Sequence, residues 1–416
     1  MGRRGRILCA TSNFPRWAGD STTPFVLHLA QDLQALGWSV DVLAPHAPGC
    51  ATRETLGGIK VERFRYLWPD SQQTVCYQGG ALINLRKRRS NAIKLPLLVG
   101  VEWAAVMRRL ASRRYDLLHS HWILPQGFTG VLAAKPFRVP HVITVHGGDV
   151  FALKGGVMAS FKRFTLRNAN AVTVNSSVTE AAVRELGPGA APIHRIPMGV
   201  SVEHVAPDAE PVKAIRDRYL RDGGPLLVFV GRVVEEKGVR DLIDAVGILR
   251  SSLPGVRALI VGEGQDRPEL EQYVASGGLV DSVSFTGWVQ PDEVAYYMAA
   301  ADIFVGPSRR AENGWVEAQG LTFLEAMVAR VPVIATRLGG VVDSVQDGVT
   351  GMLVDERAPD QIADAVRTLA ADPGLVERLK QTAHAEVTTR FSREVSAAAF
   401  SDLFSAQLNS AEPGRP

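Results

Sequence analysis

Long apolar runs are missing from this sequence. The best candidate, Leu95 to Met107, is broken by Pro96 and Glu102, so no segment reads as a membrane-spanning helix. The start, MGRRGRILCA, carries charge without an apolar core before a cleavage site, and a secretory leader is not expected. Cysteine is scarce. Cys9, Cys50 and Cys76 are widely spaced with no C-x-x-C pair, which argues against a disulfide framework or a structural zinc site and fits a reducing cytoplasm. No G-x-G-x-x-G follows a predicted strand, since GEGQDR (262–267) stops at two glycines, so a dinucleotide-dependent dehydrogenase is not indicated. No D-x-D follows a strand and no H-x-x-H spacing occurs, so neither a metal nor a cofactor is expected.

What is present is more chain than one hydrophobic core usually organises: 416 residues, 46% hydrophobic and 21% charged, with 39 Gly and 24 Pro. The net charge of +3 hides an asymmetry. Residues 1–205 hold 25 Lys and Arg against 12 Asp and Glu, whereas the remainder holds 21 against 31. A basic half joined to an acidic half suits two halves that meet different partners, or that attract each other, and equally suits solvated surfaces of no functional weight.

Both halves alternate strands with helices. In the first, RILCA (6–10), SVDVLA (39–44), YDLLHSH (115–121), HVITVH (141–146) and AVTVNS (171–176) read as buried parallel strands. Between the first two, Thr22, Thr23 and Pro24 start a helix whose apolar face is Phe25, Val26, Leu29, Ala30, Leu33 and Leu36, ending at Gly37. The second half repeats the pattern with PLLVFVG (225–231), VRALIVG (256–262), SVSFTG (282–287), DIFVGPS (302–308) and PVIAT (332–336). The fold class is therefore α/β, two doubly wound parallel sheets, with ligands expected beyond the carboxyl ends of the strands. The Pro- and Gly-containing stretch 201–224 reads as the connection between the halves.

The sharpest local signal is GRVVEEKG (231–238), directly after a strand and before an amphipathic helix. Gly231 permits a tight turn, and Arg232 and Lys237 place two cations at the strand's end, which suits a diphosphate; a solvated basic loop is the plainer alternative. EAQGLTFLEAM (317–327) adds Glu317 and Glu325 around Gly320 and Leu321. A helix beginning near Gly320 would aim free amides at an anion, and carboxylates in such a place suit sugar hydroxyls better than phosphate.

With these motifs the sequence closely resembles the retaining glycosyltransferases of family 4. Further matches are PSRRAENGWVEAQGLTFLEAM (307–327), GGVVDSVQDGVTGMLV (339–354), RIPMGVS (195–201), TVHGGDV (144–150) and HSHWILPQG (119–127). The resemblance implies the GT-B fold, two Rossmann-like domains facing across a cleft. The division it implies is 1–205 on the acceptor side and 206–390 for the donor, with 391–410 a C-terminal helix packing back toward the first domain. It further implies that Arg232 and Lys237 bind the donor's pyrophosphate and that Glu317 contacts the donor sugar. Glu325 would take the ribose hydroxyls, the amides of Gly320, Leu321 and Thr322 would complete the phosphate cradle beside Gly231, and His146 would touch the sugar. Arg16, Trp17, Asp20, Ser21, His121, Trp122 and Asp149 are the acceptor-side candidates. The sequence departs from the family pattern where a Gly-Gly loop usually follows the first strand, since NFPRWAGDSTTPF has only Gly19. It departs again at Ala318-Gln319, where Gly-Phe is usual, and at Asp343, where a glutamate is usual.

The reaction implied is metal-independent transfer of a hexosyl group, with retention, from a nucleotide-diphosphate sugar, UDP being favoured over GDP. The acceptor hydroxyl would belong to a small molecule, a lipid-linked acceptor or a glycan precursor. No carboxylate is placed as a nucleophile, so same-face attack is expected, the departing phosphate oxygen taking the acceptor's proton. Between Asn84 and Arg114, nine cations (Arg86, Lys87, Arg88, Arg89, Lys94, Arg108, Arg109, Arg113, Arg114) face one acid, Glu102, with Leu95, Leu97, Leu98, Val101, Trp103, Val106 and Met107 interleaved. That suits an anionic membrane surface, hence a cytoplasmic protein peripheral at the inner face, and equally suits a core helix with a solvated basic face. Another GT-B enzyme, such as a nucleotide-sugar epimerase, is the alternative. A nucleic-acid-binding protein fits less well, because the basic stretch has few aromatics for base stacking; no nucleic-acid partner is expected.

Overall fold

The computed structural model describes residues 4–77, 80–81, 84–85, 88, 90–152, 155–204, 206, 208–220, 223–312 and 314–411. The chain forms two compact units, Met1–Gly199 with Arg393–Pro416, and Val200–Ser392. The division falls just before the Pro- and Gly-containing stretch 201–224, six residues ahead of the 205/206 boundary expected from the sequence. Val200 donates its N–H to the Phe391 carbonyl (2.9 Å) and bridges to Ser392, which ties it to the second unit.

The first unit holds an eight-stranded sheet. Its strands are β1 (Gly5–Ala10), β2 (Trp38–Pro45), β3 (Arg53–Leu56), β4 (Ile59–Phe64), β5 (Leu117–His121), β6 (His141–Val145), β7 (Ala171–Val174) and β8 (Ile193–Arg195), in the order β3-β4-β2-β1-β5-β6-β7-β8. All neighbours are parallel except β3 and β4. That hairpin is absent from the sequence reading, although Gly57-Gly58 between two short strands is its signal: both residues sit at positive φ, 54° and 85°, as a tight two-residue turn requires. The central strands β5 and β6 are buried along their whole length, so their His, Ser and Thr side chains are buried with the aliphatic ones.

Helix α1 (Pro24–Ala35) buries Val26, Leu29, Ala30 and Leu33, the stripe expected from the i, i+3, i+4 spacing. The terminal helix Arg393–Ala411 packs within this same unit. Arg393 pairs with Asp32 of α1 (2.6 and 2.9 Å), Trp38 donates its indole N–H to the Ser401 hydroxyl (2.9 Å), and the rings of Phe400 and Phe404 lie against His119.

The second unit holds a fully parallel six-stranded sheet: β9 (Leu226–Val230), β10 (Arg257–Val261), β11 (Val283–Gly287), β12 (Ile303–Gly306), β13 (Val333–Thr336) and β14 (Met352–Val354), in the order β11-β10-β9-β12-β13-β14. Only the three-residue β14 is missing from the sequence reading, being too short for a periodicity. After β9 the chain enters helix α3 (Val239–Leu249), which buries Val239, Leu242, Ile243, Val246 and Leu249 against the sheet; α2 is Asn91–Ala111 of the first unit. With β9 and β12 adjacent at the middle of the sheet, the turns that follow them meet at one edge of it.

Candidate active site

In the second unit the site grows out of β9. Gly231 donates its N–H to the Val261 carbonyl (3.0 Å), and Arg232 then stands exposed with no side-chain partner among the described residues. Glu235–Lys237 makes one helical turn that ends at Gly238, φ 66°. A Cβ on Gly238 would lie 1.8 Å from the Pro307 carbonyl oxygen, so only glycine lets the turn after β9 touch the turn after β12. Arg309 fastens the contact. Its N–H donates to the Glu236 carbonyl (2.8 Å) and its guanidinium grips Asp241 at the start of α3 (2.6 Å for the Nε contact).

This packing delivers Lys237 to Glu317. The Lys237 ammonium and the Glu317 carboxylate form an ion pair, and the ammonium also lies 5.7 Å from the centre of the Trp315 ring. Glu317 is buried, and its carbonyl accepts the Gly340 N–H (2.8 Å), which anchors the turn after β12 to the turn after β13. The two residues that the sequence assigns to diphosphate and to sugar thus neutralise each other here. Gly320, φ 76°, opens helix α4 (Leu321–Val328), whose first amides, those of Leu321 and Thr322, have no acceptor within the helix. Glu325 lies further in and is half-buried; loss of water pushes its carboxyl up to about 6, and no side-chain partner is present among the described residues.

In the first unit the ends of β5 and β6 hold a neutral, hydrogen-bonded cluster. His121 Nδ1 lies 2.9 Å from His146 Nε2, with the rings stacked at 11° and 5.2 Å apart. Trp122 and Phe25 flank His146 at 5.0 and 5.1 Å. Asp149 holds the arrangement, accepting the N–H of Ile123 (2.8 Å) and that of His146 (3.2 Å), so one carboxylate ties together the turns after both strands. Burial raises the Asp149 carboxyl while these amides oppose the shift. The buried Lys162 donates to the Val150 carbonyl (3.2 Å) and to that of Ala152, fixing the next stretch of backbone.

Burial pushes His119, His141 and His146 down to about 3, and His121 well below its usual value, so all four rings are neutral at pH 7. In the His121–His146 contact one ring therefore donates and the other accepts. His119 Nε2 is engaged by the Thr144 hydroxyl (2.7 Å), and His141 Nε2 by Ser120 (2.8 Å). Cys9, His119 and His121 each offer one ligand atom within 4.8 Å of the others, a grouping the wide sequence spacing hides; Cys9 and His119 are paired across β1 and β5. Burial pushes the Cys9 thiol up to about 12, so metal capture there would first have to expel a proton from an apolar site.

The remaining candidates of the first unit are in the loop after β1 and the basic stretch. Arg16 and Asp20 pair with each other (2.8 Å) in the loop after β1, and Arg16 stacks 4.2 Å from the exposed Trp17, with Ser21 exposed beside them. Of the basic stretch, Arg86, Lys87 and Arg89 lie outside the described residues. Arg108 and Arg109 pair with Glu62, and Lys94 donates to Gln72 and Thr74, while Arg113 and Arg114 are exposed. Glu102 is buried against Gln126 and pushed up to about 8, so it is protonated at pH 7. Among the described residues, no helix is long and apolar enough to cross a membrane. Sequence reasoning gave no role to Arg309 and Trp315, although they lie within the 307–327 stretch, because their partners Asp241 and Lys237 come from a distant turn; nor to Lys162, whose carbonyl partners leave no side-chain signal.

Comparison with known proteins follows the same division. The profile of a glycosyl transferase 4-like domain matches residues 22–199, and that of the group 1 glycosyl transferases matches residues 212–386. The chain is 33% identical to a GDP-mannose-dependent alpha-(1-6)-phosphatidylinositol monomannoside mannosyltransferase of Mycobacterium tuberculosis, over 62% of this chain and 68% of that one. It is 32% identical to a D-inositol 3-phosphate glycosyltransferase of Xylanimonas cellulosilytica, over 75% of this chain and 77% of that one. Among solved structures, the Anabaena protein HepE in complex with UDP shares the fold, with a TM-score of 0.75 at 20% identity, covering 96% of this chain and all of the other.

Proposed function

The chain belongs to the family 4 glycosyltransferases with the GT-B fold, and we propose that it moves a hexosyl group from a nucleotide-diphosphate sugar to a hydroxyl acceptor with retention of configuration. The observation that carries this reading is the turn after β9, where Arg232 is exposed and without a side-chain partner among the described residues and Lys237, five residues on, pairs with Glu317. A diphosphate would take Arg232 directly and draw Lys237 from Glu317, and the released carboxylate would accept hydroxyls of the sugar. The Leu321 and Thr322 amides would add donors at a helix N-terminus, and Glu325 would receive the ribose.

As the bond from the anomeric carbon to the phosphate oxygen breaks, negative charge grows on the departing diphosphate. Cations and amides already aimed there lower the barrier without a divalent cation. The acceptor oxygen bonds to the anomeric carbon on the same face, and its proton passes to the departing phosphate oxygen. His146, neutral and oriented by His121 and Asp149, serves the transferred sugar through a hydrogen bond rather than through charge. Activity should therefore survive EDTA.

Two donor bases are in play: uracil, which the family resemblance favours, and guanine, which the mycobacterial relative's donor carries. A thermal-shift panel of UDP, GDP and their mannose and glucose conjugates separates them, because a ligand that binds only the native state raises the melting temperature by mass action. Stabilisation by one nucleotide and its conjugates supports the reading, and no shift with any of them rejects it. The acceptor, whether small molecule, lipid-linked or glycan, is assigned to the first unit, with the exposed Arg113, Arg114 and Trp103 as the residues offered to an anionic membrane surface. Sedimentation with anionic vesicles at low salt tests that part: failure to bind removes the membrane from the proposal.

A further inference from the structure

A cavity of about 690 Å³ opens in the first unit beside the His146 turn, between α2 and the segments Phe128–Ala134 and Gly156–Arg167. That volume lies within the range of small-molecule pockets, about 300–1,000 Å³. Leu95, Val99, Leu124, Phe128, Met158 and Phe161 supply its walls. Two of its polar side chains are already engaged: Asn13 accepts the Tyr77 N–H (3.0 Å) and donates toward Ser12 (3.3 Å), while Asp149 accepts two backbone amides. Among the described residues most of the lining side chains are apolar. One end is continuous with the candidate acceptor side, because Trp122, Gly148 and Asp149 line the cavity and Trp122 touches the His146 ring. Outside it, Ile93 and Leu97 of α2 stand 81% and 50% exposed, and Val157 of the opposite helix 67%, an apolar margin that a wholly water-soluble acceptor would not need.

We infer that this groove holds the hydrocarbon chain of the acceptor, whose hydroxyl-bearing head then sits at His146. The inference rests on the acceptor reading above and narrows the acceptor to an amphiphile. The groove excludes water from the chain, and each methylene fully buried there strengthens binding by about fourfold.

Gly100 offers a plug. It lines the groove on α2, and a Cβ placed on it meets nothing within 4 Å, so Gly100→Phe starts its side chain in open space on the groove wall. Met158→Lys places a charge in the opposite wall and serves as the second variant. The measurement is the dissociation constant of hexyl and decyl β-D-glucopyranoside, held below micelle-forming concentrations, by calorimetry. The wild-type protein should bind the decyl chain at least about 30-fold more tightly than the hexyl chain. That ratio should fall below about threefold in both variants. Equal affinity for the two chain lengths in the wild-type protein overturns the inference, as does a ratio that persists in both variants, which would place the chain elsewhere. Thermal shifts by GDP and UDP, read in the same samples, keep the two proposals apart. Nucleotide stabilisation without a chain-length effect leaves the transferase reading standing and removes the groove. A chain-length effect without nucleotide stabilisation removes its assignment to a glycosyl acceptor.

Discussion

The strand ends of the two units solve the same problem, holding polar groups at the edge of a buried sheet, by opposite means. In the second unit the groups are charged and held as ion pairs: Lys237 with Glu317, Arg309 with Asp241, and Arg232 left open. In the first unit the rings are neutral, four histidines stripped of their charge by burial and linked to Thr, Ser and to one another, with the Asp149 carboxylate satisfied by backbone amides rather than by a cation. The difference matches the tasks proposed for them. A dianionic diphosphate calls for mobile cations that can change partners, whereas a sugar hydroxyl calls for a ring fixed in one tautomer and orientation.

Removing the cations should break the comparison most severely. Arg232→Ala and Lys237→Ala are each expected to lower turnover by roughly 100-fold or more, the loss typical of one oxyanion donor, with the acceptor's KM little changed. Wild-type turnover in both variants would take the diphosphate away from this cluster.

Acid should separate the units. A histidine held near 3 in the folded state but at its ordinary 6.5 when unfolded contributes stability that is present above 6.5 and is lost as pH falls from there toward 3, by up to about 1.4 kcal/mol per pH unit. Glu102, raised to about 8, works in the other direction, gaining stability as pH falls from 8 to its unfolded value. Four histidines outweigh that one acid, so the first unit should melt first between pH 6.5 and 5, followed by the near-ultraviolet signal of Trp38 and Trp122. Loss of the second unit first, or no pH dependence, would show that the rings are not buried neutral. Across the same range, His146 should add no limb near 6.5 to the pH–rate profile.

Asp149→Asn should cost about 1–3 kcal/mol of stability, since the weaker amide oxygen must replace a charged acceptor for two backbone amides. The smallest effect belongs to the loop after β1. Trp17, 46% exposed and in contact with Arg16, should cost under about 0.5 kcal/mol when replaced by Ala. A large loss of acceptor affinity in that variant would place the loop in the acceptor site, and unchanged affinity would remove it.

How far the sequence carries follows the same contrast. The charged unit was legible: GRVVEEKG and the paired glutamates lie on short stretches whose strand, turn and helix are written locally, and the five strands read from its pattern all form. The neutral unit was legible only in part. His146 follows a recognisable strand, but its contact with His121 and the joint anchoring by Asp149 depend on β5 lying beside β6, and the Cys9–His119 pairing on β1 lying beside β5. Such pairings join residues scores of positions apart, and no periodicity encodes them. The Lys237–Glu317 pair was hidden for a related reason: the motif displays the cation and the carboxylate, while Gly238 passing the Pro307 carbonyl decides that they touch.

The most direct test of this division of labour is the affinity for the nucleoside diphosphate that the thermal-shift panel selects, measured by calorimetry in the Lys237→Ala and His146→Ala proteins. Lys237→Ala is expected to weaken nucleotide binding by at least about tenfold, the equivalent of one charge-assisted contact, while His146→Ala leaves it within twofold of the wild-type value and abolishes transfer. Unchanged binding in Lys237→Ala, or an equal loss in His146→Ala, would contradict the assignment of diphosphate to the charged strand ends and of the transferred sugar to the neutral ones.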